Sequence, residues 1–179
     1  WFKKDLELSE KLAKADPSNA SLQRDLSVSY YKLGDLSKAQ GDLGQAQSWF
    51  KKDLELSEKL AKADPSNASL QRDLSFSYYQ LGDLSKAQGD LGQAQSWFKK
   101  ALELREKLAK ADSSNASLQR DLSFSYSQLG ELSKAQGDLD QAQSWFKEAL
   151  ELREKLAHAD PSNAELQRDV LALLVLGCG

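Results

Sequence analysis

The chain has no methionine, one cysteine, one histidine and three prolines in 179 residues. A lone Cys178 excludes an intrachain disulfide and a cysteine-rich metal centre. A lone His158 excludes any site built on paired histidines. No block of like charge exists: 24 basic and 27 acidic residues are interleaved, for a net charge of −3. Nucleic acid and anionic membrane are therefore not expected as partners. The most apolar segment, Leu171 to Leu176, is far shorter than the ~20 residues of a membrane span. The sequence begins at Trp1 rather than methionine, which points to a longer parent chain and says little about a signal peptide. The residues fix no compartment, and the cytoplasm is the default expectation.

What the chain has is repetition. Trp1, Trp49, Trp97 and Trp145 stand 48 residues apart. The segment Ala20 to Asn67 recurs as Ala68 to Asn115 and as Ala116 to Asn163, and the first two copies differ at only five positions. A half-copy, residues 1–19, precedes them and a partial copy, residues 164–179, follows. Such periodicity predicts one linear array over 1–179, each unit stacking on its neighbours to bury a continuous core.

Within a unit, breakers set the elements. Proline is confined to Asp-Pro-Ser-Asn segments, at Pro17, Pro65 and Pro161, and Gly41 and Gly44 interrupt the middle. They leave room for two helices, roughly Asn19 to Gln40 and Leu43 to Ala63, and no stretch alternates with the period of a strand. Ser18 or Asn19 is expected to cap the first helix and Asp42 the second. Ser162 and Glu165 have the spacing of a capping box. On the first helix Leu22, Leu26, Tyr30, Leu33 and Ser37 form one buried stripe. On the second, Leu43, Ala46, Phe50, Leu54 and Leu60 share a face, flanked by Trp49 and Leu56. That width suits a helix packed on two neighbours.

These residues resemble the tetratricopeptide repeat, whose pattern is W-x2-L-G-x2-Y, A-x3-F and P. Here it reads Tyr30, Leu33, Gly34, Ala46, Phe50 and Pro65, and recurs as Tyr78, Leu81, Gly82, Ala94, Phe98 and as Tyr126, Leu129, Gly130, Ala142, Phe146. Small Ala101 and Ala149 also fit the family, where the first copy has Asp53. The usual repeat is about 34 residues long, so about 14 are extra. The excess splits into two gaps of about seven, near two whole turns each, which keeps both apolar faces in phase. The chain is thus similar to elongated bacterial and kinesin-light-chain-type repeats. The resemblance implies an all-α solenoid of antiparallel helix hairpins wound into a right-handed superhelix, and a scaffold that binds a protein or peptide in a concave groove. Gly34 lacks a β-carbon, so the two helices are expected to approach closely there.

Opposite the first helix's buried stripe runs a second line, Ser21, Arg24, Val28, Tyr31, Asp35 and Lys38, which in the family faces the groove. The next copies present Arg72, Phe76, Tyr79, Asp83 and Lys86, then Arg120, Phe124, Ser127, Glu131 and Lys134. The expectation is an aromatic band between charged bands, with rings giving contact area and Arg and Lys holding a partner's carboxylates. The competing reading is that Phe76, Tyr79 and Phe124 pack on the neighbouring first helix; both can hold together. Tyr31 and Asp35 stand where a carboxylate-gripping member of the family would need Lys and Asn, so a clamp for a peptide C-terminus is not expected.

No enzyme is expected. The glycines of residues 41–47 lack the Lys-Ser/Thr of a phosphate loop, no base is evident beside a nucleophile, and no metal or cofactor is implied. The sequon-like Asn19, Asn67 and Asn115 suit helix caps. At the C-terminal end Leu171, Leu174 and Val175 make a helix that is apolar all round. They predict self-association through the ends, either by two such helices packing together or by one molecule's last helix meeting another's first. The alternative to a ligand-binding scaffold is therefore a self-associating or end-to-end array, duplicated or engineered, with no specific ligand.

Overall fold

The computed structural model describes residues 2–177, with side chains from 4 to 174. Among these residues there are eight helices and no strand: α1 (Phe2–Ala15), α2 (Ala20–Ala39), α3 (Leu43–Ala63), α4 (Ala68–Ala87), α5 (Leu91–Ala111), α6 (Ala116–Ala135), α7 (Leu139–Ala159) and α8 (Ala164–Gly177). Even-numbered helices are of the first type and odd-numbered ones of the second. The chain divides into two compact units, Trp1–Trp97 and Phe98–Gly179. In the first, α1 packs on α2, α2 on α3 and α3 on α4; in the second, α6 packs on α7 and α7 on α8.

Three local devices set the helix ends. Asn19 Oδ1 accepts from the amides of Ser21 and Leu22 at 3.1 and 3.3 Å, which satisfies two donors that the first turn leaves free. Asn67 and Asn115 repeat this. Asp42 accepts from Gln45 N–H at 2.9 Å and opens α3. Between α2 and α3, Gly41 takes φ +81°. The amides of Asp42 and Gly41 return to Ser37 O and Lys38 O, each at 2.9 Å, a left-handed closure that a side chain would strain.

The capping box expected at Ser162 and Glu165 does not form. Asn163 Oδ1 takes the amides of Glu165 and Leu166, and the Ser162 hydroxyl donates to Asp160 at 2.7 Å. The serine of each Asp-Pro-Ser-Asn turn is drawn to its aspartate, as Ser18 is to Asp16, leaving asparagine to cap.

The core follows the apolar stripes. Ala46, Phe50, Leu54 and Leu60 are buried on α3, and Leu26 and Leu33 are buried on α2, which packs against it. A β-carbon at Gly34 would lie 2.5 Å from Phe50 Cε1, and one at Gly130 2.7 Å from Phe146 Cε1. The ring occupies the space a side chain would need, so glycine is what lets these two hairpins close. In the second unit Ala142, Phe146, Ala149 and Leu173 form the corresponding cluster, with Tyr126 and Leu150 against it.

Tyr30, placed in the buried stripe by phase, is only half-buried and stacks on Trp49 at 5.8 Å. Its hydroxyl donates to Glu10 at 3.2 Å. Burial, and then the Glu10 and Glu55 carboxylates, push this phenol up to about 12. Tyr78 and Tyr126 make the same contacts with Trp97 and Glu58, and with Trp145 and Glu106. Glu58, on α3, thereby ties one hairpin to the first helix of the next.

Candidate functional site

In the first unit the stripe opposite the core brings α2 and α4 side by side. Tyr31 meets Phe76 edge-on with ring centroids 5.0 Å apart, and Phe76 lies 6.2 Å from Tyr79. Such geometry adds attraction beyond the area buried. Phe76 keeps 37% of its surface exposed and Val28 keeps 41%. The rings thus pack on the neighbouring first helix and still present a face to solvent.

The charged flanks are engaged with each other. The Arg24 guanidinium meets both carboxylate oxygens of Asp73, at 2.5 and 3.0 Å, and this contact raises its pKa. The Lys38 ammonium is bonded to Asp83. Asp35 and Arg72 are exposed, and Lys86 and Tyr79 are half-buried. The expectation that Arg24 and Lys38 stand ready for a partner's carboxylates is thereby corrected: their acids come from the adjacent helix. The more exposed Arg24–Asp73 pair contributes about 0–1 kcal/mol, so it frames the rings more than it holds the fold.

In the second unit Arg120 bonds Glu165 at 2.6 Å and Asp169 at 3.4 Å, and the Arg105 guanidinium lies 5.8 Å from the Phe124 ring centroid. Lys134 is exposed. Glu131 is half-buried, with Oε1 enclosed and without a hydrogen-bond partner. Ser127 leaves the stripe. It is 5% exposed, donates to Ser123 O at 3.0 Å and accepts from Arg153 at 3.2 Å. A serine there is small enough to be covered where Tyr31 and Tyr79 are not.

A row of buried hydroxyls, which helical phase alone did not single out, lies beneath the stripe. In the first unit Asp53 of α3, 4% exposed, accepts from Ser27 of α2. Ser57 lies 3.1 Å from Ser27 and 3.0 Å from Ser77. Asp53 Oδ2 is enclosed without a partner. Burial, only partly offset by the Ser27 and Ser77 hydroxyls, raises its pKa to about 6. In the second unit alanine and arginine take these positions. Arg105 donates to Asp121 O and Ser125 Oγ at 3.1 and 2.9 Å. Arg153 donates to Asp169 O at 2.9 Å, and burial lowers its pKa.

Of the self-association residues, Leu171 and Leu174 are exposed; the side chain of Val175, and Cys178, lie outside the described residues. His158 is exposed. Among the described residues no group of acids, histidines and cysteines is arranged to hold a metal, and no helix is long and apolar enough to cross a membrane.

Near-identical helix hairpins repeated along the chain define a helical-repeat interaction scaffold. The chain belongs to the tetratricopeptide repeat family: profiles described as Tetratricopeptide repeat match residues 86–155 and 27–60, together more than half of its length. Among solved structures it is similar to TTC0263, a thermophilic TPR protein in Thermus thermophilus. The TM-score is 0.51 at 19% identity, covering 97% of this chain and 91% of that one. It is also similar to MamA MSR-1, with a TM-score of 0.52 at 19% identity over 96% of this chain and 75% of that one. At such identities the likeness speaks to the fold alone. A comparison with curated proteins finds no match. The family's fold is a protein–protein interaction scaffold, and a non-catalytic one.

Proposed function

We propose that the chain binds an extended or helical peptide of a partner protein on the first-helix stripe, and that the aromatic cluster of Tyr31, Phe76 and Tyr79 is the centre of the contact. The observation that carries this reading is the half-open ring cluster: Phe76 remains 37% exposed although its ring touches those of Tyr31 and Tyr79. Arg24 and Lys38 are already neutralised by Asp73 and Asp83. The surface therefore favours apolar and aromatic side chains over an acidic motif. Desolvated rings ringed by satisfied polar groups are the usual make-up of a binding hot spot.

Peptide selection from a random display library on the 179-residue chain tests it, with Phe76→Ser/Tyr79→Ser as counter-target. Enrichment of apolar and aromatic peptides that bind the variant at least about tenfold more weakly, a difference of about 1.4 kcal/mol, is the expected result. Selected peptides that bind both proteins equally would place recognition elsewhere.

A second reading, an array that joins end to end, is favoured by the exposed Leu171 and Leu174 on α8.

A further inference from the structure

The rings of the first unit and its buried acid are held by the same helices. Tyr31 follows Ser27 by one turn of α2, and Ser27 donates to Asp53 of α3. Phe76 of α4 lies between Ser75 and Ser77, both buried. Ser77 donates to Ser57 at 3.0 Å, and Ser57 lies 3.1 Å from Ser27. The rings thus come from α2 and α4, the two helices that pack over the carboxyl of α3. Burial first, then Asp35 and in smaller part Asp53, raise the Tyr31 phenol, so the field of the buried acid reaches a ring of the cluster.

Asp53 is poorly served as an anion. It is 4% exposed, and its Oδ2 is enclosed without a partner. Among the described residues no cation pairs with it. Facing it, α2 supplies the Ser27 hydroxyl and the Tyr31 phenol. Helix α4 supplies Ser77 and Asp73, whose carboxylate is already held by Arg24 and adds repulsion. Its own helix supplies Ser57. A neutral carboxyl suits this enclosure, whereas a charged one relies on screening by solvent. One face through which solvent acts is the ring cluster, where Phe76 keeps a third of its surface open. A peptide that covers the rings removes that water, which costs the charged form more than the neutral one.

We infer that Asp53 regulates the stripe: a peptide binds the rings of Tyr31, Phe76 and Tyr79 tightly while this carboxyl is protonated, and more weakly once it is charged. This regulation presupposes the peptide-binding reading and adds to it a proton taken up on binding. Burial raises Asp53 to about 6 in the free chain, and a covering peptide raises it further. Below that pH the carboxyl is neutral with or without peptide, so affinity is level. Above it the free chain releases its proton before the complex does, so affinity falls as pH rises, until the complex releases its proton too. The expected loss between roughly pH 5 and pH 8 is about three- to tenfold. The coupling is reciprocal: the proton favours the peptide, and the peptide favours the proton. In the second unit Ala101 and Ala149 stand at this position, so the device belongs to the first unit.

Titration calorimetry between roughly pH 5 and pH 8 tests this on the full chain. The probes are peptides enriched by display at the acid end of that range and lost from Phe76→Ser/Tyr79→Ser. They are chosen free of Asp, Glu and His and blocked at both ends, so that they do not titrate. The wild type is expected to lose about three- to tenfold in affinity as pH rises, and to take up a proton on binding, seen as a heat that varies with the buffer. Asp53→Asn and Asp53→Ala, the second carrying the residue of the later copies, are expected to bind at the alkaline end as the wild type does at the acid end. Circular dichroism checks that both variants retain their helices. A wild-type affinity that is level across the range overturns the proposal, as does a fall that persists in both variants. In either case peptides that still require Phe76 and Tyr79 leave the peptide-binding reading standing. Failure to enrich any peptide that needs those rings brings down that reading and this regulation with it.

Discussion

The two units build one kind of hairpin around opposite chemistry. Beneath the stripe of the first unit sits an acid among hydroxyls, Asp53 with Ser27, Ser57 and Ser77 nearby. In the second, Ala101 and Ala149 remove the acid, and Arg105 and Arg153 thread guanidinium groups to backbone carbonyls and to Ser125 and Ser123, which stand at the repeat positions of Ser77 and Ser27. Two substitutions four residues apart on a helix convert one to the other. The backbone therefore tolerates either sign of charge in this position, and the serines serve both: they donate to a carboxylate in one unit and accept from an arginine in the other.

The largest expected effect is at Asp53. Between roughly pH 4 and pH 6 the folded carboxyl holds a proton that the unfolded chain has released, because burial raises its pKa from 3.8 to about 6. Folding takes up a proton there, so stability falls as pH rises through that window and levels off above it. The loss is about 3 kcal/mol. Asp53→Ala, which copies the second unit, should flatten the profile and leave the chain more stable at pH 7.5; urea unfolding at several pH values measures both. A profile unchanged by the substitution would mean that the acid is well solvated.

Next is Arg153→Ala. It removes the buried donor of three hydrogen bonds, to Asp169 O and to the Ser123 and Ser127 hydroxyls, together with the packing of the guanidinium stem, and should cost about 2–3 kcal/mol in the same assay. No comparable loss is expected from Ser57→Ala in the first unit. Equal losses would erase the distinction drawn between the units.

The smallest of the three probes what the units share. Gly34→Ala and Gly130→Ala each push a methyl against a buried phenylalanine ring, and each should destabilise by about 2 kcal/mol, read as a fall in thermal midpoint. Unequal values would show that one hairpin has room to relax.

Much of this was legible in the chain. The 48-residue spacing of the tryptophans, the breakers and the apolar phase place the helices, because these signals act over a few turns of one helix. Gly34 was readable for the same reason. What stayed hidden lies in contacts between residues far apart in sequence. Arg24 and Asp73 are 49 positions apart, so no wheel drawn for one helix shows that the cations of the stripe are already paired. Ser127 looked like a surface residue by phase, yet it is buried because Arg153 reaches it from another helix. Asn163, rather than Ser162, caps α8 because Asp160 competes for the serine hydroxyl.

The glutamines at the joints have a consequence for how the chain opens. Gln23 donates its side-chain amide to Ala13 O at 2.9 Å, Gln71 to Ala61 O at 3.0 Å, Gln119 to Ala109 O at 3.0 Å and Gln167 to Ala157 O at 3.3 Å. Each of those carbonyls belongs to the last turn of a second-type helix, where its own helix offers no amide. One hairpin thus closes the frayed end of the one before it. Deuterium uptake at such an end should track the opening of the following helix rather than its own, and local unfolding should run in steps larger than a single helix.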